Sequence, residues 1–271
     1  MVIDFHTHVF PEKIAARTLE VLKAGIKREQ GIDYPSFTDG TVSGLLDSMD
    51  RCGIDMSVVV PIATKPEQTA TINAYAAQIS GGRLLSFGSV HPADPNALGV
   101  LEELAQAGFK GIKMHPEFQH FYIDSPESLA ILRKCEELGL YVTLHTGADV
   151  GMPPPVHCTP EMLVRVLDKV SGERIIAAHM GSFWMWEDVR RLLVGSPLYF
   201  DTAVVGMFIE PGVYRDLIRD HGADRVLFAS DSPWEDQAHA LDTLRSLGLS
   251  PEEFEKITCK NACHILGVKK V

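Results

Sequence analysis

The segment Val2-Ile3-Asp4-Phe5-His6-Thr7-His8 is a short apolar run that ends in two histidines separated by one residue. Side chains alternate across a β-strand with a period of two, so a strand here would place His6 and His8 on the same face. Two imidazoles on one face supply part of the ligand set that a transition-metal ion needs. The segment therefore predicts a first strand whose carboxyl end carries metal ligands.

Seven further short apolar runs follow, and several are continuously apolar, which is typical of strands covered on both faces in a parallel sheet. The eight runs are 2–5, 57–62, 84–90, 111–114, 141–144, 174–178, 198–200 and 225–229. Segments with helical spacing separate them. Eight strand–helix units in one domain, 1–271, predict a (β/α)8 TIM barrel, a fold that typically takes about 250 residues. An open doubly wound sheet is disfavoured because no G-x-G-x-x-G motif follows the first run.

Chemically active residues stand at the ends of later runs. His145 ends the fifth run, His179 follows the sixth and Asp231 follows the eighth, while Lys113 and His115 lie two residues apart at the fourth. The carboxyl ends of barrel strands meet at one mouth, so these side chains are expected to converge there. The predicted ligands of a single divalent ion are His6, His8, His145 and Asp231.

These motifs resemble the amidohydrolase superfamily, and most closely its amidohydrolase-2 branch of metal-dependent enzymes. The family opening Asp-x-His-x-His is matched by Asp4, His6 and His8. The family's fifth-strand histidine, sixth-strand histidine and eighth-strand aspartate are matched by His145, His179 and Asp231. The resemblance extends over essentially the whole chain. It implies a TIM barrel and metal-assisted chemistry, but it gives little indication of the substrate.

The resemblance also implies roles for the matched residues. The ion is expected to be Zn²⁺, with Mn²⁺ or Fe²⁺ as alternatives, and it would lower the pKa of bound water toward about 7. Asp231 would be both a ligand and the group that takes and returns the proton. His179 would lie beside the ion as a hydrogen-bond partner or general acid–base. Asp4 would support the end of the first strand.

Lys113 has three open interpretations. A buried lysine in a strand is costly unless it is paired, so with His115 on the same face it would bind a substrate carboxylate or a developing oxyanion. It would alternatively be carbamylated and bridge a second metal ion, as in other branches of the superfamily. The third interpretation is a structural ion pair.

The preferred function is a metal-dependent hydrolase of a small molecule, acting on an amide, a lactone or a related C–N or C–O bond. The alternative is a metal-dependent non-oxidative decarboxylase or hydratase of an aromatic or unsaturated carboxylic acid, with Lys113 holding the acid. A nuclease of the TatD type is disfavoured because those enzymes carry a glutamate ligand at the fourth strand. A non-catalytic scaffold is disfavoured because structural metal sites are closed.

Composition limits the partners. The formal net charge is −11, from 25 basic and 36 acidic residues, which argues against a nucleic-acid surface. No apolar stretch approaches the roughly 20 residues that cross a bilayer. The chain has five cysteines and no C-x-x-C pair, and its amino terminus lacks the features of a signal peptide, so a cytoplasmic location is expected. The expected partner is a small-molecule substrate, and association into a homo-oligomer is compatible with the sequence.

Two long connections, 9–40 and 147–160, follow predicted strands, so both are expected to form walls or lids of the active site. The first is predicted to contain a helix near 12–27. Aromatic residues after the fourth, sixth and eighth strands are expected either to line a substrate pocket or to pack between helices. They are Phe118, Phe121, Tyr122, Trp184, Trp186 and Trp234.

Overall fold

A parallel sheet forms the centre of the molecule, and the computed structural model describes it within residues 1–269. The strands are β1 (Ile3–Thr7), β2 (Met56–Val59), β3 (Leu84–Ser86), β4 (Gly88–Ser89), β5 (Gly111–Met114), β6 (Tyr141–Leu144), β7 (Ile175–Ala177), β8 (Tyr199–Asp201) and β9 (Val226–Leu227). They pair in the orders β1-β2-β3 and β4-β5-β6-β7-β8-β9. Since β3 and β4 are separated only by Phe87, they occupy one strand position, and eight positions result, as predicted.

Backbone hydrogen bonds connect the last strand position to the first. The Phe5 amide donates to the Phe228 carbonyl at 2.8 Å, and the Asp231 amide donates to the His6 carbonyl at 2.8 Å. Thr7 and Ser232 form a further parallel bridge. The eight positions therefore form a TIM barrel with all carboxyl ends on one side, which confirms the predicted fold.

Helices surround the strands among the described residues. They are α1 (Glu12–Gln30), α2 (Val42–Cys52), α3 (Thr69–Ile79), α4 (Ala97–Gln106), α5 (Pro116–Gln119), α6 (Pro126–Leu138), α7 (Pro160–Leu167), α8 (Trp186–Leu192), α9 (Pro211–His221), α10 (Gln237–Ser246), α11 (Pro251–Glu255) and α12 (Asn261–Leu266). Ser125, Thr159 and Ser250 cap α6, α7 and α11, and a proline follows each of them. No helix within residues 1–269 has the length and apolar composition needed to cross a bilayer.

An irregularity in β1 aims the histidine pair into the barrel mouth. The register of β1 against β2 shifts between Asp4 and Thr7. Phe5 packs into a buried apolar cluster that also contains Leu227, whereas the adjacent His6 faces the polar mouth. A bulge of this kind re-aims a side chain, so neighbouring residues contribute to both the core and the site.

The carboxylate of Asp4 fastens the end of β1 to the opposite side of the barrel. It accepts hydrogen bonds from the Ser230 hydroxyl and from Nε2 of Gln237 on α10, at 2.5 and 2.7 Å. The amide of Ser230 also donates to it at 3.0 Å. Asp4 therefore joins β1, the segment after β9 and α10, which is the supporting position that the family resemblance implied.

Helix α1 is an additional helix between β1 and the first helix of the barrel, α2. Its buried residues are Ala15, Leu19 and Ile26. Near its carboxyl end, Gly25 approaches the loop after β6 so closely that an added Cβ would lie 3.4 Å from the Gly151 carbonyl oxygen. The connection 9–40 thus places a helix across the mouth, as expected of a wall.

Candidate metal centre and active site

One cavity of about 560 Å³ at the mouth of the barrel contains almost all of the predicted site residues. The titratable side chains that line its inner end come from β1, from β5 and from the segments that follow β1, β5, β6, β7 and β9. They are His6, His8, Lys113, His115, His145, Asp149, His179 and Asp231. The convergence that the strand pattern predicted is therefore found in the folded chain.

Three of the four predicted ligands form a first trio, His6, His8 and Asp231, whose candidate ligand atoms lie within 4.8 Å of one another. The Oδ1 atom of Asp231 lies 3.0 Å from Nε2 of His8 and 3.4 Å from Nε2 of His6. That oxygen is buried and accepts no hydrogen bond from residues 1–269. The trio thus presents an unsatisfied anionic atom between two imidazole nitrogens.

The fourth predicted ligand, His145, belongs to a second trio with His115 and Asp149, again within 4.8 Å. The Oδ2 atom of Asp149 lies 3.4 Å from Nε2 of His115 and 3.8 Å from Nε2 of His145. The rings of His115 and His145 stack at 4.1 Å. Two sets of three donors therefore face the same cavity, where the sequence predicted a single set of four.

Hydrogen bonds fix the tautomers of His179 and His145. Nδ1 of His179 lies 3.0 Å from the carbonyl oxygen of Ala203, which only accepts, so Nδ1 carries the hydrogen. In the neutral ring Nε2 of His179 then accepts, and Nδ1 of His145, 3.1 Å away, donates to it. This leaves a lone pair on Nε2 of His145, which is buried without a hydrogen-bond partner among the described residues. That is the state of a metal-ligating histidine.

Asp201, at the end of β8, orients the first histidine. Its Oδ2 accepts from Nδ1 of His6 at 2.8 Å, and its Oδ1 accepts from the amide of His179 at 2.8 Å. The Nε2 lone pair of His6 is thereby directed to the cavity, where Nζ of Lys113 lies 3.1 Å away. Sequence reasoning missed Asp201, although it directly follows the seventh apolar run. It also missed Asp149, which lies in a loop and carries no strand-end signal.

The protonation state of the imidazoles suits a metal ion. Burial lowers the pKa of His6, His115 and His145 well below the ordinary value, and the charge of Lys113 lowers all three further. Metal coordination requires a neutral ring with an available lone pair, which His6 and His145 present on Nε2. The lone pair of His115 is on Nδ1, which accepts from the Phe118 amide at 3.3 Å. The contact of His6 with Asp201 is accordingly a hydrogen bond from a neutral ring.

Lys113 is the counter-charge of the site. Burial lowers the pKa of its ammonium group to about 8, although the carboxylates of Asp231, Asp201 and Asp149 raise it. Three carboxylates surround a single lysine, so the inner end of the cavity has an excess of negative charge when these groups are ionised. A buried charge excess is costly unless a cation balances it.

His179 and Asp231 both have left-handed backbones, with φ of 59° and 63°. For residues other than glycine this region is uncommon and costs of order 1–3 kcal/mol, and it persists where surrounding bonds impose it. The amide of His179 is held by Asp201 and that of Asp231 by the His6 carbonyl. Strain of this kind thus occurs at two of the strand ends that deliver site residues.

The donors fit a divalent first-row metal ion. Imidazole nitrogens and carboxylate oxygens bind Zn²⁺, Mn²⁺ and Fe²⁺, and the unsatisfied Asp231 Oδ1 and His145 Nε2 are atoms that such an ion would engage. A barrel with these donors at its carboxyl ends defines a class of metal-binding enzymes.

The chain belongs to the amidohydrolase family, whose sequence profile matches residues 3–268. A gamma-resorcylate decarboxylase of Polaromonas sp. is 28% identical over 137 residues, which is 44% of this chain and 42% of the relative. The match thus spans less than half of that relative's length. The sequence-based assignment to the amidohydrolase-2 branch is confirmed.

Solved structures of decarboxylases share the fold. The 5-carboxyvanillate decarboxylase of Sphingomonas paucimobilis has a TM-score of 0.71 and 20% identity, with 99% of each chain covered. The 5-carboxyvanillate decarboxylase of Novosphingobium aromaticivorans, crystallised with manganese and 4-hydroxy-3-methoxy-5-nitrobenzoic acid, has a TM-score of 0.71 and 18% identity, with 99% of this chain and 96% of that chain covered. Each of these three relatives is a decarboxylase, and the last of them holds manganese on the same fold.

The first prediction concerns metal content. Wild-type protein should hold about one tightly bound divalent ion per chain, and the double variant His6→Ala/His8→Ala should hold almost none, because two neutral donors are lost. Elemental analysis after dialysis measures both. His91→Gln, which alters a buried histidine outside both trios, should keep the wild-type content. Equal content in wild type and the double variant would refute the site, whereas a value near two would place an ion in the second trio as well.

The second prediction concerns Asp201. Asp201→Asn should weaken metal affinity about 10- to 100-fold, because it removes the carboxylate that holds Nδ1 of His6. Competition with a chelator of known affinity measures this, and nitrogen-15 chemical shifts of the histidine rings report the tautomer of His6. Asp220→Asn, which alters an exposed carboxylate paired with Arg190, is the control. Unchanged affinity and an unchanged tautomer in Asp201→Asn would show that His6 is oriented by other contacts.

Proposed function

We propose that the protein is a metal-dependent, non-oxidative decarboxylase of aromatic carboxylic acids. The observation that carries the proposal is the buried ammonium group of Lys113, 3.1 Å from Nε2 of the candidate ligand His6. Among the described residues that line the cavity, Lys113 is the only lysine or arginine. A cation beside the metal trio provides a counter-charge for a substrate carboxylate.

Aromatic walls support a planar substrate. The rings that line the cavity belong to Phe10, Tyr34, Tyr75, Phe118, Phe183, Phe208 and Trp234. Of the aromatics singled out in the sequence, Phe118 and Trp234 line this cavity, and Trp184 lines a smaller neighbouring pocket. The other three are not among the lining residues described, and Trp186 donates to the His179 carbonyl. A mainly apolar, ring-lined cavity with a few polar groups at its inner end suits an aromatic acid.

The comparisons favour this reaction over the hydrolysis of an amide or a lactone. The three named relatives are decarboxylases of ring acids, and hydrolysis would use the same metal donors without a special need for Lys113. We therefore place the hydrolase second. The relative that binds manganese makes Mn²⁺ as strong a candidate as the Zn²⁺ expected from the ligand types.

The reaction exchanges a carboxylate for a proton. The carbon–carbon bond breaks, carbon dioxide leaves, and the ring carbon retains the electron pair and takes up a proton. A bound divalent ion would supply Lewis-acid polarisation of the oxygens next to that carbon. Lys113 balances the charge of the carboxylate, and the aromatic walls exclude water. Asp231 is the proposed proton carrier because its carboxylate lines the inner end of the cavity together with Lys113.

His179 is assigned a positioning role. Both of its ring nitrogens are engaged within the protein, Nδ1 by the Ala203 carbonyl and Nε2 by His145. It therefore lacks a free N–H to give to a substrate in this arrangement, and it acts by holding His145. His115 is proposed to form part of the substrate wall, since its ring is stacked between Phe118 and His145 at 4.1 Å from each.

The third prediction is the reaction itself. Metal-loaded protein should release carbon dioxide from one or more hydroxybenzoates or carboxyvanillates, and it should not hydrolyse lactones or amides. Carbon dioxide release coupled to product detection by chromatography measures the first, and a parallel panel of neutral esters, lactones and amides measures the second. Hydrolysis of a neutral substrate without any decarboxylation would make the hydrolase the preferred function and refute the decarboxylase.

The fourth prediction concerns Lys113. Lys113→Met keeps the length of the side chain and removes its charge, so kcat/KM should fall about 10²–10³-fold, equivalent to about 2.7–4 kcal/mol of transition-state stabilisation. Elemental analysis should show that metal content is retained. Lys110→Met, which alters an exposed lysine three residues earlier, should keep full activity. Unchanged kinetics in Lys113→Met would mean that the ammonium group serves a structural ion pair.

A further inference from the structure

The cavity is larger than the reacting end of the site requires. Its volume of about 560 Å³ falls within the range of about 300–1,000 Å³ that holds drug-sized ligands. A single-ring acid is much smaller than such ligands. The metal trios and Lys113 line only the inner end, so a substantial volume lies beyond the position of the carboxylate.

Helix α1 forms one wall of that additional volume. Its lining residues recur every four positions and are Ile14, Thr18, Leu22 and Ile26. Residues at this spacing lie on one face of a helix, and twelve residues rise about 18 Å along its axis. Ile14 is 49% exposed although it lines the cavity, so residues 1–269 leave about half of this apolar residue uncovered.

Helix α3 and the turn before it form a second wall, through Gln68, Thr71, Ile72 and Tyr75. Thr71 and the neighbouring Glu67 are exposed, which places them at the solvent edge, while Ile72 and Tyr75 are partly buried. The amino-terminal half of α1 and this face of α3 therefore enclose a groove, hereafter the α1–α3 groove. It is continuous with the metal trios because the same cavity contains both.

We propose that the substrate acid carries an apolar arm, an alkyl chain or a second ring, that lies in the α1–α3 groove while its carboxylate lies beside Lys113. This inference rests on the proposed decarboxylase function and specifies its substrate class. The arm covers the exposed face of Ile14 and the part of Ile72 that lines the cavity, and the polar rim at Glu67 and Thr71 remains in water. Covering apolar surface of this kind favours binding in proportion to the area buried.

The test is a homologous series of 2-hydroxybenzoates that bear hydrogen, ethyl, butyl or phenyl on the ring, assayed with the metal-loaded enzyme. Each buried methylene should improve kcat/KM about four-fold, until the groove is filled. Ile72→Trp narrows the groove and should remove most of this dependence on arm length. Ala74→Trp adds the same ring to an exposed residue of α3 that does not line the cavity, and should retain the dependence.

The outcomes separate the arm from the reaction. If the rate of decarboxylation does not depend on arm length, or depends on it equally in both tryptophan variants, the proposed arm is wrong. The proposed decarboxylase function is then still supported. If no acid in the series releases carbon dioxide, calorimetry with the matching alkylphenols tests the arm independently of turnover. An affinity that rises with chain length and is lost in Ile72→Trp supports the groove, and a flat series overturns it.

Discussion

The hydrogen bond from Nδ1 of His6 to Asp201 is the contact on which the geometry of the site depends. The same carboxylate accepts from the amides of His179 and Ala203, at 2.8 and 3.2 Å. The Ala203 carbonyl then fixes the tautomer of His179, which in turn fixes that of His145. A single strand end thus directs lone pairs in both trios, which explains how several rings are held ready for a metal ion.

Most of the fold and much of the site follow from two regularities of the sequence. Continuously apolar runs identify the strands, because a parallel barrel buries both of their faces. Since all carboxyl ends meet at one mouth, polar residues such as His8, Lys113 and Asp231 can be assigned to one cavity before any coordinates are known. These parts were predictable because they depend on local patterning and on a topology that the patterning implies.

Other parts depend on contacts that no local pattern records. The bulge in β1 arises from its pairing with β2. Strict alternation of side chains along a strand would place Phe5 and His6 on opposite faces, so it does not predict that Phe5 packs in the core while His6 faces the mouth. Asp149 reaches the second trio from a loop, and its position is set by loop geometry. The placement of His145 with Asp149 and not with the first trio likewise depends on side-chain contacts, such as its hydrogen bond to His179, that strand position does not specify.

Helix α1 carries none of the metal donors, yet it lines the cavity over much of its length. The candidate metal ligands and the α1 residues that line the cavity therefore belong to separate segments of the chain. Substitutions on the cavity-facing side of α1 can accumulate without disturbing the barrel ends. In evolutionary terms, this separation lets the candidate metal centre stay unchanged between lineages while the groove, and with it the range of molecules that the cavity accepts, diverges.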